Sequence, residues 1–229
     1  MFRQTVPPDL IVLYLSKEQF PQEFKSIPQR LNNLYKLGYI DIVFTDGDLR
    51  SHKKYFYSFQ QYGDEIVILI DDDLFYTKRL IQELMELHHQ FPNRIICHRG
   101  HLVTRDSEEK INPYSRWKVL RTKGGPSSSI FHTSGGATLY EPNLFNTDLF
   151  NVQNIKTLCF YADDVWLNIH AFISGIKIVK TNYYSDYLPI LNIRDVRLSD
   201  LNVAEGMNDQ QIIKTSKYYG IDEKDIFND

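Results

Sequence analysis

Three consecutive aspartates, Asp71, Asp72 and Asp73, close an apolar run, EIVILI at 65–70. Adjacent like charges repel, so all three stay ionised at neutral pH only beside a cation or in open water. In extended backbone Asp71 and Asp73 project to the same side. Two carboxylates so placed offer hard oxygen ligands to Mg²⁺ or Mn²⁺ and leave coordination positions for the oxygens of a diphosphate. The alternative is a solvated loop whose aspartates cap the next helix. A second acidic pair, Asp163 and Asp164, opens an apolar segment of helical period and reads on its own as an N-cap plus a first-turn acid. Arg50, His52, Lys53 and Lys54 cluster ahead of another helical segment, where a solvated helix face is the plain alternative to a ligand contact.

The elements that must carry these groups alternate. The continuous apolar stretch at 10–15 predicts a buried strand, 29–37 a helix ended by Gly38, and 40–44 a second strand. A helix at 51–62, closed by Gly63, leads into the strand at 65–70 that runs into the aspartates. Leu80, Leu84, Leu87 and Phe91 share one helical face over 77–90, with Thr77 as N-cap and Pro92 as the stop. A short strand at 94–98 follows. Such alternation predicts an α/β fold with a mainly parallel central sheet flanked by helices. In open α/β sheets ligands bind beyond the carboxyl ends of the strands, which is where the triplet stands.

Later segments are less regular. KGGPSSS at 123–129 predicts a mobile loop, and SGGATLY at 134–140 a turn followed by a strand. A helix at 162–174 has Val165, Trp166, Ile169, Phe172 and Ile173 on its apolar side, with Trp166 in the core and Gly175 as the cap. A strand at 176–180 and a helix at 212–219 complete the pattern. Neither an internal repeat nor a dividing linker is visible, so 1–229 is expected to form one domain.

Composition narrows the function classes. With 229 residues and a formal charge of -3, the chain lacks the basic excess of a nucleic-acid binder. Cys97 and Cys159 sit among apolar residues and are expected to be buried free thiols. No stretch reaches membrane-spanning length, and the first residues show no signal-peptide pattern. The expected setting is the cytoplasm, with peripheral contact at the inner face of the membrane.

In order along the chain, IVLYLSKEQFP (11–21), DLRSHKKYFY (48–57), IVILIDDDLFY (66–76), Cys97-His98-Arg99, SGGATLYEP (134–142) and YADDVWL (161–167) resemble bacterial GT-A-fold glycosyltransferases of the kind that build cell-surface polysaccharide. The order of these stretches is more specific than any one of them. That family commonly opens with a further strand and helix, which helps bind the nucleotide base. Here ten residues precede the first matching segment. The resemblance implies that 1–98 forms a nucleotide-sugar-binding half and 99–229 an acceptor-side half. Asp71 and Asp73 would hold the metal, with Asp73 in direct contact. Asp71, Asp72, Arg50, Lys53, Lys54, Gly135 and Gly136 would border the donor, the glycines by close backbone approach. Asp164, or else Asp163, would be the general base that deprotonates the acceptor hydroxyl. His98, Arg99 and His101 would line the acceptor side.

The expected activity is therefore metal-dependent glycosyl transfer, with inversion, from a nucleotide-sugar. A UDP-sugar with Mn²⁺ or Mg²⁺ is the expected donor, and a glycan or lipid-linked hydroxyl the acceptor. A nucleotidyltransferase also pairs acidic residues with a metal, although the Gly-rich basic signature of those enzymes is missing. A non-catalytic nucleotide- or sugar-binding remnant is the third reading. A haloacid-type phosphatase fits less well, because Phe75 stands where its motif has Thr or Val.

Overall fold

The structure is a computed structural model that describes residues 1–182 and 206–229. In chain order its regular elements are β1 (Val12–Ser16), α1 (Gln29–Lys36), β2 (Asp41–Thr45), α2 (Lys53–Gln61), β3 (Val67–Leu69), α3 (Leu80–Gln90), β4 (Ile95–Cys97), β5 (Gly100–Leu102), β6 (Lys118–Val119), β7 (Gly124–Ser127), β8 (Ile130–His132), β9 (Thr138–Tyr140), α4 (Val152–Leu158), α5 (Asp163–Ile173), β10 (Ile178–Lys180) and α6 (Met207–Tyr218). The α/β class and the helix–strand alternation up to β4 are as expected. β1 and β2 form a parallel pair, and β6-β5-β8 a small antiparallel sheet.

The central sheet has the order β3-β9-β4-β10-β7. It is mixed rather than mainly parallel. β4 and β10 pair in parallel, whereas β3 with β9, β9 with β4, and β10 with β7 are antiparallel. The three strands of the helix–strand pattern, β3, β4 and β10, do run one way. β9 changes the pairing because it leaves a turn at the carboxyl ends of β3 and β4 and must run back between them.

Side-chain alternation sets the layers. Ile95, Cys97, Tyr140 and Ile178 face the larger core with α2 and α5. Ile96, Leu139 and Val179 face the other way, onto Leu80, Leu84 and Leu87 of α3. Each such leucine, fully buried, contributes about 1.5–3 kcal/mol. Ile27, Ile40 and Ile42 form a third cluster under β1, β2 and α1. Trp166 is fully buried, as expected, and its indole N–H donates to Leu149 O at 2.9 Å. Cys97 and Cys159 are buried free thiols. Among the described residues no helix is long and apolar enough to cross a membrane.

Two local expectations fail for tertiary reasons. Residues 124–127 are strand β7, not a loop, because they pair with β10. Gly125 has φ +88, and a Cβ there would lie 2.2 Å from Ile178 O, so the approach requires glycine. Thr77 is not the N-cap of α3, which begins at Leu80. Gln4 serves that helix end instead: its side-chain oxygen accepts from Ile81 N–H at 3.2 Å while its amide donates to Thr77 O at 2.7 Å.

Candidate active site

β3 delivers Asp71 at its carboxyl end. A tight turn, Ser134–Gly136, enters β9 at the same edge, and α5 begins nearby with Asp163 and Asp164. α2 supplies the cation. Its Tyr55, Phe56 and Phe59 are buried against the core, which turns the neighbouring Lys54 toward the acidic groups. The Lys54 ammonium stands 2.8 Å from Asp71 Oδ1 and 3.1 Å from Asp163 Oδ2. One lysine thus joins two acidic sites that lie 92 residues apart in sequence (163 − 71). Both halves of the chain, 1–98 and 99–229, contribute to this centre.

Asp71 is held from several sides. Its N–H donates to the Tyr76 hydroxyl at 2.8 Å, and that hydroxyl donates to Gly135 O at 2.5 Å. A Cβ built on Gly135 would lie 1.7 Å from Asp71 Oδ2, so only glycine leaves room for the carboxylate. The close approach expected of this glycine is thus made to Asp71. Gly136 completes the turn, its N–H donating to Thr133 O at 3.1 Å. Ala137, the next residue, has φ +72, the left-handed region in which a non-glycine residue stores strain of about 1–3 kcal/mol.

The acidic pair does not cap its helix. The N-cap of α5 is Ala162, with no side-chain cap hydrogen bond. Both carboxylates reach out to the turn before β9. Ser134 N–H donates to Asp164 Oδ1 at 2.7 Å, and Ser134 Oγ–H donates to Asp163 Oδ2 at 2.9 Å. Asn168, one helical turn on and buried, clamps the same segment. Its oxygen accepts from His132 N–H at 3.0 Å, and its amide donates to His132 O at 2.8 Å and Asp164 O at 2.7 Å.

These contacts separate the two carboxylates electrostatically. For Asp163 burial alone would favour the neutral acid, but the Lys54 ammonium overrides it and holds the group well below the usual carboxylate range. For Asp164 burial and the negative charge of Asp163 raise the pKa to about 7, against smaller opposing effects from Lys54 and Ser134. Lys54, despite its burial, is held firmly protonated by Asp163, Asp71 and Asp164. Paired carboxylates pushed apart in this way can divide roles, one as a fixed charge and one as a proton acceptor.

Other expected site residues fall elsewhere. Asp72 is exposed, and Asp73 is half-buried in the turn after Asp71. Lys53 is directed away from the cluster: its ammonium lies 2.7 Å from Asp48 Oδ1 and 3.1 Å from Gln19 Oε1. The Arg50 guanidinium lies over the rings of Tyr161 and Phe160, at 4.7 and 5.2 Å, beside the start of α5. His52 is buried between the Tyr55 hydroxyl and Cys159 O, and burial pushes its pKa down to about 4. His98 and His101 are buried rather than set along an open acceptor wall. His98 has Glu83 Oε2 3.6 Å from its Nε2, and His101 packs on Tyr114. Ser134, Tyr76 and Asn168 are additions. Ser134 carries a trace in sequence, a hydroxyl directly before a glycine pair; Tyr76 and Asn168 carry none.

Asp71 and Asp73 supply hard oxygen donors. Among the described residues no group of three or more His, Cys, Asp or Glu converges to hold a metal ion. Such a donor set would suit only a divalent cation that takes one or two protein carboxylates and completes its shell with diphosphate oxygens and water, as Mg²⁺ commonly does. It does not fit a self-contained protein cage.

No family model and no curated protein matches the chain. Two solved structures of UDP-glucose pyrophosphorylase share a distant likeness. The complex with UDP-glucose is 11% identical with a TM-score of 0.40, and the apo form 10% identical with a TM-score of 0.39. Each comparison covers 92% of this chain and 81% of the other. Likeness of that degree assigns neither a family nor an activity.

Proposed function

We propose that this chain is a transferase that uses a nucleotide-sugar and moves the sugar to a hydroxyl acceptor with inversion. The observation that carries the reading is the placement of two carboxylates at one site, Asp163 on the Lys54 ammonium and Asp164 on Ser134 N–H, with burial and the Asp163 charge raising the pKa of Asp164. A hydroxyl nucleophile must lose a proton as it attacks, and a base poised near neutral pH is suited to take it. Ser134 N–H on Asp164 Oδ1 and the Asn168 clamp fix the direction of that carboxylate. Asp71 and Asp73 would hold a divalent cation on the donor's diphosphate, where it neutralises charge on the departing nucleotide. Lys54, at Asp71 Oδ1, is a cation available to the same diphosphate, and Arg50, over the rings of Tyr161 and Phe160, would have to leave that position to join it. A glycan or a lipid-linked saccharide is the acceptor class this chemistry serves, the latter at the cytoplasmic face of a membrane.

One observation favours a second reading, nucleotidyl transfer. Its phosphate nucleophile is already ionised and needs no base, but it does need a cation, and Lys54 stands where one would serve. The products separate the two. With UDP-sugars and Mn²⁺, glycosyl transfer to acceptor or to water releases UDP without added pyrophosphate, and that is the expected result. Formation of UTP and sugar 1-phosphate that depends on pyrophosphate would replace the proposal with the second reading. Nucleotide binding with neither product would mark a non-catalytic binding protein.

A further inference from the structure

We infer that Lys54 is the resident counter-ion of Asp71 and that a divalent cation enters this site by displacing it. The inference rests on the reading that Asp71 holds the metal. In the observed rotamer Asp71 presents Oδ1, and not Oδ2, to the ammonium. Its Oδ2 fills the space over Gly135, and its backbone is tied through Tyr76 to the same residue. The ammonium lies on the other oxygen, Oδ1, at 2.8 Å. A cation at a metal–oxygen distance of about 2.1 Å on that oxygen would stand within about 5 Å of the ammonium. Like charges so close oppose each other strongly in a partly buried site.

Lys54 has somewhere to go. Asp163 Oδ2, 3.1 Å from the ammonium, is held in place by Ser134 Oγ, and the lysine stem is flexible enough to pivot on that second anchor. Displacement therefore leaves Asp163 paired. The free protein then binds metal weakly, because the ammonium must first be moved. A nucleoside diphosphate gives the displaced ammonium a further anionic partner beside Asp163 and adds oxygen ligands for the metal. Metal and nucleotide thus strengthen each other's binding, and the coupling passes through Lys54.

Mn²⁺ binding without nucleotide, read from the electron paramagnetic resonance signal of the free ion, tests this directly. Lys54→Met is expected to bind Mn²⁺ at least tenfold more tightly than the parent chain, and Lys54→Met combined with Asp71→Asn to lose that binding. Equal or weaker binding by Lys54→Met overturns the competition. Tight binding that survives in the double variant overturns the assignment of the metal to Asp71, a different failure. The parent chain gives an independent readout that needs no variant to fold. Mn²⁺ should raise the acetylation rate of Lys54 relative to Lys53, whose ammonium is tied to Asp48. An unchanged ratio, mapped by mass spectrometry, also overturns the inference.

Discussion

Asp164→Asn is expected to lower transfer to the acceptor by about 10²–10⁴, the usual cost of losing a positioned base, while donor binding persists. The asparagine keeps the size of the side chain and an oxygen for Ser134 N–H, so thermal stability should stay close to that of the parent. The pH profile adds a readout that a structural role would not give. Only the deprotonated carboxylate accepts a proton, so the rate in the parent rises with pH above the usual carboxylate range, because burial and the Asp163 charge raise the pKa of this group. Removing the neighbouring charge by Asp163→Asn should move that acid limb to lower pH. A rate independent of pH between 5 and 8, or an Asp164→Asn variant with full turnover, would remove Asp164 from the chemistry.

Asp163→Asn is expected to affect stability as strongly as Asp164→Asn affects rate. Asp163 is a buried carboxylate on the Lys54 ammonium, with Ser134 as a second partner. Breaking a buried pair by removing one partner costs about 3–5 kcal/mol. Lys54 retains Asp71, which places the expected loss near 3 kcal/mol, a fall in Tm of roughly 6–12 °C for a chain of this size. The pH dependence has a definite sign. The folded pKa of Asp163 lies below the unfolded value of about 4, so its stabilisation is present above pH 4 and is lost as pH falls further. In Asp163→Asn that part of the acid sensitivity should vanish. A Tm within 2 °C of the parent would show that the Lys54–Asp163 pair contributes little.

Local pattern made β1 to β4, β9, β10 and both acidic groups legible, but not β5 to β8. β3, α3 and α5 stand within a few residues of where apolar runs and helical spacing place them, because burial of a continuous face dictates them. The triplet does follow the carboxyl end of β3, although β3 is an edge strand paired antiparallel to β9 and not an inner strand of a parallel sheet. Pairing was not legible. β9 is three residues long and lies between β3 and β4, whose residues precede it by about 40 to 70 positions, and no local signal encodes such a choice. The same holds for the Gln4 side chain that serves α3, and for β7, whose Gly and Ser composition suggests a loop until β10 supplies its hydrogen bonds. In the site, the residue types were visible but not their partners. Lys53 and Lys54 are adjacent and identical in sequence. The helical path of α2 sends one to Asp48 and the other to Asp71 and Asp163.

The central claim is that Asp71, at the edge shared with Lys54 and Gly135, anchors a nucleoside diphosphate through a divalent cation. Calorimetric titration of UDP into the folded protein, with and without Mn²⁺, tests it most directly when the parent and Asp71→Asn are compared. The expected result is UDP binding that Mn²⁺ strengthens at least tenfold in the parent and does not strengthen in Asp71→Asn, with the variant as stable as the parent to within about 1 kcal/mol, since Lys54 keeps Asp163. Equal Mn²⁺-dependent affinity for UDP in the two proteins would contradict the claim.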